Sequence, residues 1–353
     1  MVLLDHAAVS QDAAVRVRGL SVVYRTDVGE RAAVRSVDLD LSPGQITGIV
    51  GESGSGKSTL ALALLNAVPK PGRIAAGSIE VGDLGEITGL SGRRLRHLRG
   101  GEIGYVFQAS QNSLNPLKTI GKQLLDLGRS HGVDDLRAMI RDARELAGRM
   151  GLDGKRVLDS YQHELSGGMR QRVGIMFALV LNARVLVLDE PTTALDMLSQ
   201  VAVLDIVREI HRERGLATVI ITHDMGVVAE MADRIAVMYG GRLVEVGPAV
   251  EVLRDPRHPY TRALIRAIPR LVGDPEAASA LPGRPPDLVT LPQQGCVFRE
   301  RCPLALPICA TLDPAMTHDG GRGVACHAAD GTPSSSEGEG RNEPIQAGGE
   351  KTS

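Results

Sequence analysis

The sequence predicts an α/β fold built on a mostly parallel sheet, followed by a smaller region of different texture. Between about Val15 and Val252, short apolar runs alternate with amphipathic stretches, as when strands and helices take turns. The clearest runs are rich in Ile, Val and Leu without alternation, which marks strands covered on both faces. Beyond Leu253 the periodicity fades, and Pro, Arg and Cys take over. A length of 353 residues accommodates one large and one small domain, and 43% hydrophobic residues supply a core that excludes wholesale disorder.

Composition removes several function classes. Forty Lys+Arg against 42 Asp+Glu leave a net charge of −2, so a globally basic nucleic-acid binder is excluded. No Trp, five Tyr and three Phe give little material for base-stacking platforms. No run reaches the ~18–20 apolar residues that cross a bilayer. Residues 1–13 read as a loose leader, and Met1 to Gln11 carry no Lys or Arg, unlike a secretory signal. The expectation is a cytoplasmic protein whose membrane association comes through partners.

Taken in order, the first buried strand is 46–50 and the apolar stretch 60–65 opens a helix. Between them Gly51-Glu52-Ser53-Gly54-Ser55-Gly56-Lys57-Ser58 fits G-x-x-x-x-G-K-[ST]. Glycines let backbone N–H groups approach phosphate oxygens, and the helix N-terminus adds a favourable dipole. Lys57 would reach the β- and γ-phosphates and Ser58 would ligate Mg²⁺. Leu136, Met139, Ile140, Ala143, Leu146 and Met150 recur at helical spacing, as do Val203, Leu204, Val207 and Ile210; both stripes read as core-facing helix sides.

Leu165-Ser166-Gly167-Gly168-Met169-Arg170-Gln171 opens a helical stretch that runs to Leu181. A serine and two glycines at a helix start make either a cap or a second anion site. The strand 185–188 ends in Asp189-Glu190, and carboxylates at the C-terminal edge of a parallel sheet stand where such sheets bind ligands. Asp189 suits a Mg²⁺ shell and Glu190 can polarise an attacking water. The strand 218–222 brings His223 to the same edge.

In this order the residues resemble the nucleotide-binding subunit of an ABC (ATP-binding cassette) transporter, over about residues 15–250. The resemblance implies a P-loop NTPase of ABC type, with a mostly parallel core sheet, an antiparallel β subdomain and a helical subdomain at about 109–182, all within 14–252. Gly51 to Thr59 match the Walker A loop, Val185 to Glu190 the Walker B strand, and Leu165 to Gln171 the signature motif. Gln108, after Ile103-Gly104-Tyr105-Val106-Phe107, matches the Q-loop, which also contributes to the Mg²⁺ shell. His223 matches the switch histidine, Ala194-Leu195-Asp196 the D-loop, and Tyr24 the aromatic that stacks on adenine. Met169 departs from the glutamine more usual in the signature. The family mechanism implies two ATPs sandwiched between two nucleotide-binding subunits, identical or paralogous, each signature covering the other's γ-phosphate.

His258-Pro259-Tyr260-Thr261, Leu281-Pro282-Gly283 and the cysteine-bearing segment resemble the extension of oligopeptide/dipeptide importer ATPases, giving a C-terminal extension at 253–327 and a disordered tail at 328–353. Asn112-Ser113-Leu114-Asn115-Pro116-Leu117 fits the same group, whereas Ala109-Ser110 replace its usual Asp-Pro. The implied activity is an ATPase on the cytoplasmic face of the membrane, peripheral to two transmembrane permease subunits, with an extracytoplasmic binding protein acting indirectly and no nucleic acid. Importers of oligosaccharides or nickel belong to the same group, and a soluble ABC ATPase is the rival class. Cys296, Cys302, Cys309 and Cys326 follow the spacing C-x5-C-x6-C-x16-C. Four thiols in one segment admit a [4Fe–4S] cluster, a Zn²⁺ site or inert free cysteines, and the first is the expectation.

Overall fold

The computed structural model describes residues 13–108, 114–193, 195–267 and 283–329. Within them, two sheets organise the chain. An antiparallel sheet of order β2-β1-β4-β5 is formed by β1 (Val15–Thr26), β2 (Gly29–Leu41), β4 (Gly72–Val81) and β5 (Gly85–Glu86). In β1, Val15 and Val17 point inward and Arg16 and Arg18 outward, the two-residue period of a strand with one wet face. The period slips between Val17 and Leu20, where Gly19 takes φ +55° and the register against β2 shifts.

The main sheet has the order β11-β12-β10-β9-β3-β8-β7-β6, with β10 at Arg242–Pro248, β11 at Thr317–Asp319 and β12 at Arg322–Val324. Its centre is β3 (Ile46–Val50), β6 (Ile103–Val106), β7 (Val185–Asp189), β8 (Ala217–Thr222) and β9 (Arg234–Tyr239), all parallel. Every residue of β3, β7 and β8 is buried, which is why their sequences do not alternate. After β3 comes α1 (Lys57–Leu64), and α2 (Gly92–His97) precedes β6. Between β6 and β7 lie α3 (Ile120–His131), α4 (Leu136–Arg149), α5 (Gly154–Asp159) and α6 (Gly167–Leu179). The helix α7 (Met197–Arg214) joins β7 to β8, and α8 (Met225–Met231) joins β8 to β9.

Both helical stripes face the core. Met139, Ala143, Leu146 and Met150 are buried with Val203, Leu204, Val207 and Ile210, packing the helices against Leu186, Leu188 and Ile220 of the main sheet. On the opposite face, Val187, Val219 and Ile221 pack with Leu60 and Leu64 of α1 and with Val17 and Leu20 of the antiparallel sheet. The phosphate-loop segment therefore sits between two apolar layers, at the C-terminal ends of the parallel strands.

The C-terminal region, whose sequence shows little periodicity, nonetheless forms regular elements. After β10 (Arg242–Pro248) come α9 (Ala249–Arg254) and α10 (Pro259–Arg266). The hairpin of β11 (Thr317–Asp319) and β12 (Arg322–Val324) then returns to pair with β10, Glu245 opposite Val324. The segment thus completes one edge of the main sheet. Glu245 anchors it: fully buried, its carboxylate accepts from the backbone N–H groups of Arg257 and His258 (both 2.9 Å) and from Arg322 Nη2 (2.6 Å). Three-residue strands are too short for periodicity to reveal.

Residues 1–12 of the leader, most of the expected tail (330–353), and Ala109, Ser110, Asn112, Ser113, Ala194, Leu281 and Pro282 lie outside the described residues. Among the described residues, no helix is long and apolar enough to cross a membrane.

Candidate functional site

From Val50 the chain curls through residues 51–56 into α1. Gly51 has φ +152°, and a Cβ there would stand 2.2 Å from the Met238 carbonyl oxygen; at Gly56, with φ +101°, it would stand 2.4 Å from that of Ala33. Only glycine permits this curl. Lys57 folds back over the loop, its Nζ donating to the carbonyl oxygens of Gly51 (2.7 Å) and Glu52 (2.9 Å). Burial lowers its pKa, an effect opposed by Glu190, Asp189 and Glu52. Among the described residues it makes no ion pair, so a largely buried ammonium rests on carbonyl oxygens at the mouth of an anion-shaped loop.

Across from it, β7 ends at Asp189. Ser58 Oγ donates to Asp189 Oδ1 (3.2 Å), and Tyr105 OH, presented by the neighbouring β6, donates to Oδ2 (2.9 Å). Burial raises the Asp189 pKa, and these two hydrogen bonds oppose the shift. Glu190 follows in the left-handed region, at φ +51°. That conformation costs a non-glycine residue on the order of 1–3 kcal/mol and turns the side chain away from the strand's alternation. Its carboxylate accepts from Thr193 Oγ1 (3.1 Å), and His223 Nδ1 stands 2.8 Å from Oε1.

Most of the expected residues converge on one cleft. Tyr24, Ser53, Gly54, Ser55, Gly56, Lys57, Ser58, Thr59, Gln108, Glu190 and His223 line a cavity of ≈ 810 Å³, within the size range of small-molecule sites. Pro285, Asp287 and Leu288 of the C-terminal region line it as well, a contribution the sequence reading missed. Tyr105 was missed too, hidden in an apolar strand. The signature residues do not line the cleft: Ser166 caps α6 by accepting the Met169 N–H (3.3 Å), with Gly167 and Gly168 in the first turn. Asp196 caps α7 by accepting the Ser199 N–H (2.9 Å), also away from the cleft walls.

The cysteine expectation is corrected. Cys296, Cys302, Cys309 and Cys326 are free thiols, and among the described residues no group of three or more His, Cys, Asp or Glu side chains is arranged to hold a metal ion. This arrangement supports neither the iron–sulfur cluster nor the zinc site. Cys296 and Cys309 instead pack in an apolar cluster with Tyr260 and Phe298, with Cys302 against it. Burial pushes the Cys302 thiol up to about 11 and raises those of Cys296 and Cys326.

Residues 34–193 match the family described as ABC transporter, and residues 244–309 match the oligopeptide/dipeptide transporter C-terminal region. The chain is 40% identical over 313 residues to the oligopeptide transport ATP-binding protein OppD of Salmonella typhimurium, covering 88% of this chain and 92% of that protein. It is 37% identical over 312 residues to the dipeptide transport ATP-binding protein DppD of Haemophilus influenzae, covering 88% and 94%. Among solved structures, it is similar to the dimeric ATP-binding cassette MJ0796 in a post-hydrolysis state bound to ADP and Pi, at a TM-score of 0.58 and 25% identity, covering 67% of this chain and 98% of that one. A phosphate loop facing an Asp-Glu strand end, two family matches in tandem, and relatives aligned over nearly their whole length lead to one conclusion: the chain belongs to the ABC transporter family, as an ATPase subunit of its oligopeptide/dipeptide branch.

Proposed function

We propose that this chain hydrolyses ATP in the cleft described above and thereby energises import of oligopeptides or dipeptides. The observation that carries the catalytic reading is the pairing of Glu190 with His223, 2.8 Å apart on the wall of the phosphate-loop cleft. Glu190 accepts the proton of the attacking water, and His223 and Thr193 hold its carboxylate in place. Tyr24 stacks on the purine. The loop from Gly51 to Thr59 wraps the phosphates, with Lys57 exchanging carbonyl oxygens for phosphate oxygens. Ser58, Asp189 and Gln108 would hold Mg²⁺; their oxygen donors suit a hard cation, and Ser58 Oγ already lies 3.2 Å from the Asp189 carboxylate. When bound, that ion neutralises charge on the phosphates.

Ser166, Gly167, Gly168 and Asp196 serve the cleft of a second nucleotide-binding subunit, a reading supported by their standing outside the walls of their own cleft. Two transmembrane permease subunits convert the motion into transport, so the chain works peripherally on the cytoplasmic face of the membrane. An extracytoplasmic binding protein delivers the cargo. The peptide assignment rests on the likeness to OppD and DppD; the ligand of the accompanying binding protein tests it, and a sugar or nickel ligand would reassign the cargo alone. The catalytic reading is tested by Glu190→Gln, which preserves shape but cannot take a proton. It should keep ATP binding, lower kcat by about 10²–10⁴-fold and accumulate an ATP-bound dimer on size-exclusion chromatography. Near-normal turnover removes Glu190 from the reaction.

A further inference from the structure

The phosphate-loop motif leaves its second position open to any residue, yet here Glu52 is gripped on three sides. Its backbone N–H donates to Tyr260 OH (2.8 Å), so this N–H turns toward the C-terminal region. Its carboxylate makes a two-pronged pair with Arg301, Nη1 to Oε2 at 2.6 Å and Nη2 to Oε1 at 3.1 Å. Its carbonyl oxygen accepts from Lys57 Nζ (2.9 Å). Two of these contacts come from residues more than 200 positions away in sequence, and the third is the loop's own lysine.

The far side of the grip is buried and closely packed. Tyr260 is fully buried, and its ring packs against Tyr239 and Phe298, with centroids 4.6 and 5.4 Å away. Arg301 is 9% exposed, its Nη1 lies 3.4 Å from Tyr239 OH, and its guanidinium stands 5.8 Å from the Tyr239 ring centroid. A planar guanidinium meeting a carboxylate in this fork fixes orientation as well as distance.

We propose that Arg301 and Tyr260 are positioning residues for the phosphate loop: through Glu52, the C-terminal region sets the loop's shape and the resting place of Lys57, and so the affinity for MgATP. The inference rests on the nucleotide reading of the cleft. It assigns the C-terminal region a direct part in the ATPase site. Glu52 is the joint, because the lysine that must reach for phosphates rests on the residue that the C-terminal region holds.

The test measures MgATP affinity of the full chain by calorimetry, alongside the melting temperature without nucleotide. Tyr260→Phe removes one hydroxyl and keeps the ring; Glu52→Gln keeps shape and removes charge; Arg301→Met and the double variant Glu52→Gln/Arg301→Met complete a cycle. Tyr260→Phe and Glu52→Gln should each weaken MgATP binding by about five- to tenfold. The double variant should bind at least about threefold better than the product of the single effects predicts, a coupling in affinity that a purely structural arginine would not show. Wild-type affinity in folded Tyr260→Phe and Glu52→Gln, or single effects that simply multiply, overturns the proposal. If Arg301→Met does not fold, the first two variants decide. Lys57→Ala is measured beside them: wild-type affinity there overturns the nucleotide reading itself, whereas loss of binding there with normal clamp variants overturns only the clamp.

Discussion

Replacing Glu245 by glutamine should detach the C-terminal region from the sheet, and the structure sets the size of the effect. One carboxylate oxygen accepts from the Arg257 N–H and from Arg322 Nη2, the other from the His258 N–H. A glutamine can place its single oxygen where two donors converge, but its NH₂ then faces the His258 N–H. That leaves one buried donor without an acceptor, which costs about 1–3 kcal/mol. Arg322 is 3% exposed and loses its buried counter-charge; the remaining carboxylate, Asp255 Oδ2, is 3.8 Å away and exposed. Breaking one side of a buried pair costs about 3–5 kcal/mol, in line with the sum of these losses. At about 2–4 °C per kcal/mol for a domain of this class, the melting temperature should fall by roughly 6–20 °C. Thermal unfolding followed by circular dichroism measures the shift, and limited proteolysis should show earlier cutting after residue 255. A shift of a degree or two, with unchanged proteolysis, would refute the argument that Glu245 is the anchor.

Lys57→Ala removes a charge-assisted phosphate contact and should weaken ATP binding by about 10–100-fold in calorimetry. His258 is held neutral by burial, its pKa pushed down to about 3, while its Nδ1 accepts the Tyr260 N–H (3.0 Å). Since the unfolded chain takes up this proton near 6.5, stability is full above that pH and is lost as pH falls toward 3; the term is about 1.4 kcal/mol between pH 7.5 and 5.5. His258→Asn keeps the capping acceptor and should flatten the urea-measured slope by that amount; His211, also lowered by burial, remains in both proteins and cancels. With its thiol at about 11, Cys302 should alkylate slowly at pH 8 in the native chain and readily after unfolding, as read by mass spectrometry. Fast native labelling would show that burial does not govern it.

What the sequence made legible was chemistry carried by neighbours in the chain. The run from Gly51 to Ser58 forms its loop almost alone, because glycine conformations and a helix start are local. Asp189 and His223 were readable because strand ends in a parallel sheet share one edge. The rest depended on partners far apart in sequence. Tyr260 stood out in a motif, but its hydroxyl meets a residue 208 positions away, and Glu245 meets Arg322 across 77. The cysteines show the opposite limit: their grouping in one segment does not fix how the thiols face in space, and an apolar cluster accommodates Cys296 and Cys309 without any metal.

The return of residues 317–324 to the sheet has a consequence for anyone who shortens this chain. β10 is hydrogen-bonded to β9 on one side and to β12 on the other. A protein ending near residue 309, where the second family match stops, would lack the hairpin and present that second side of β10 bare. An open row of N–H and C=O groups, flanked by buried Leu243, Val244 and Val246, is a template on which another copy can pair. The short hairpin is a sealing strip: a trimmed cassette would keep every residue of the phosphate loop and still be prone to polymerise edge to edge.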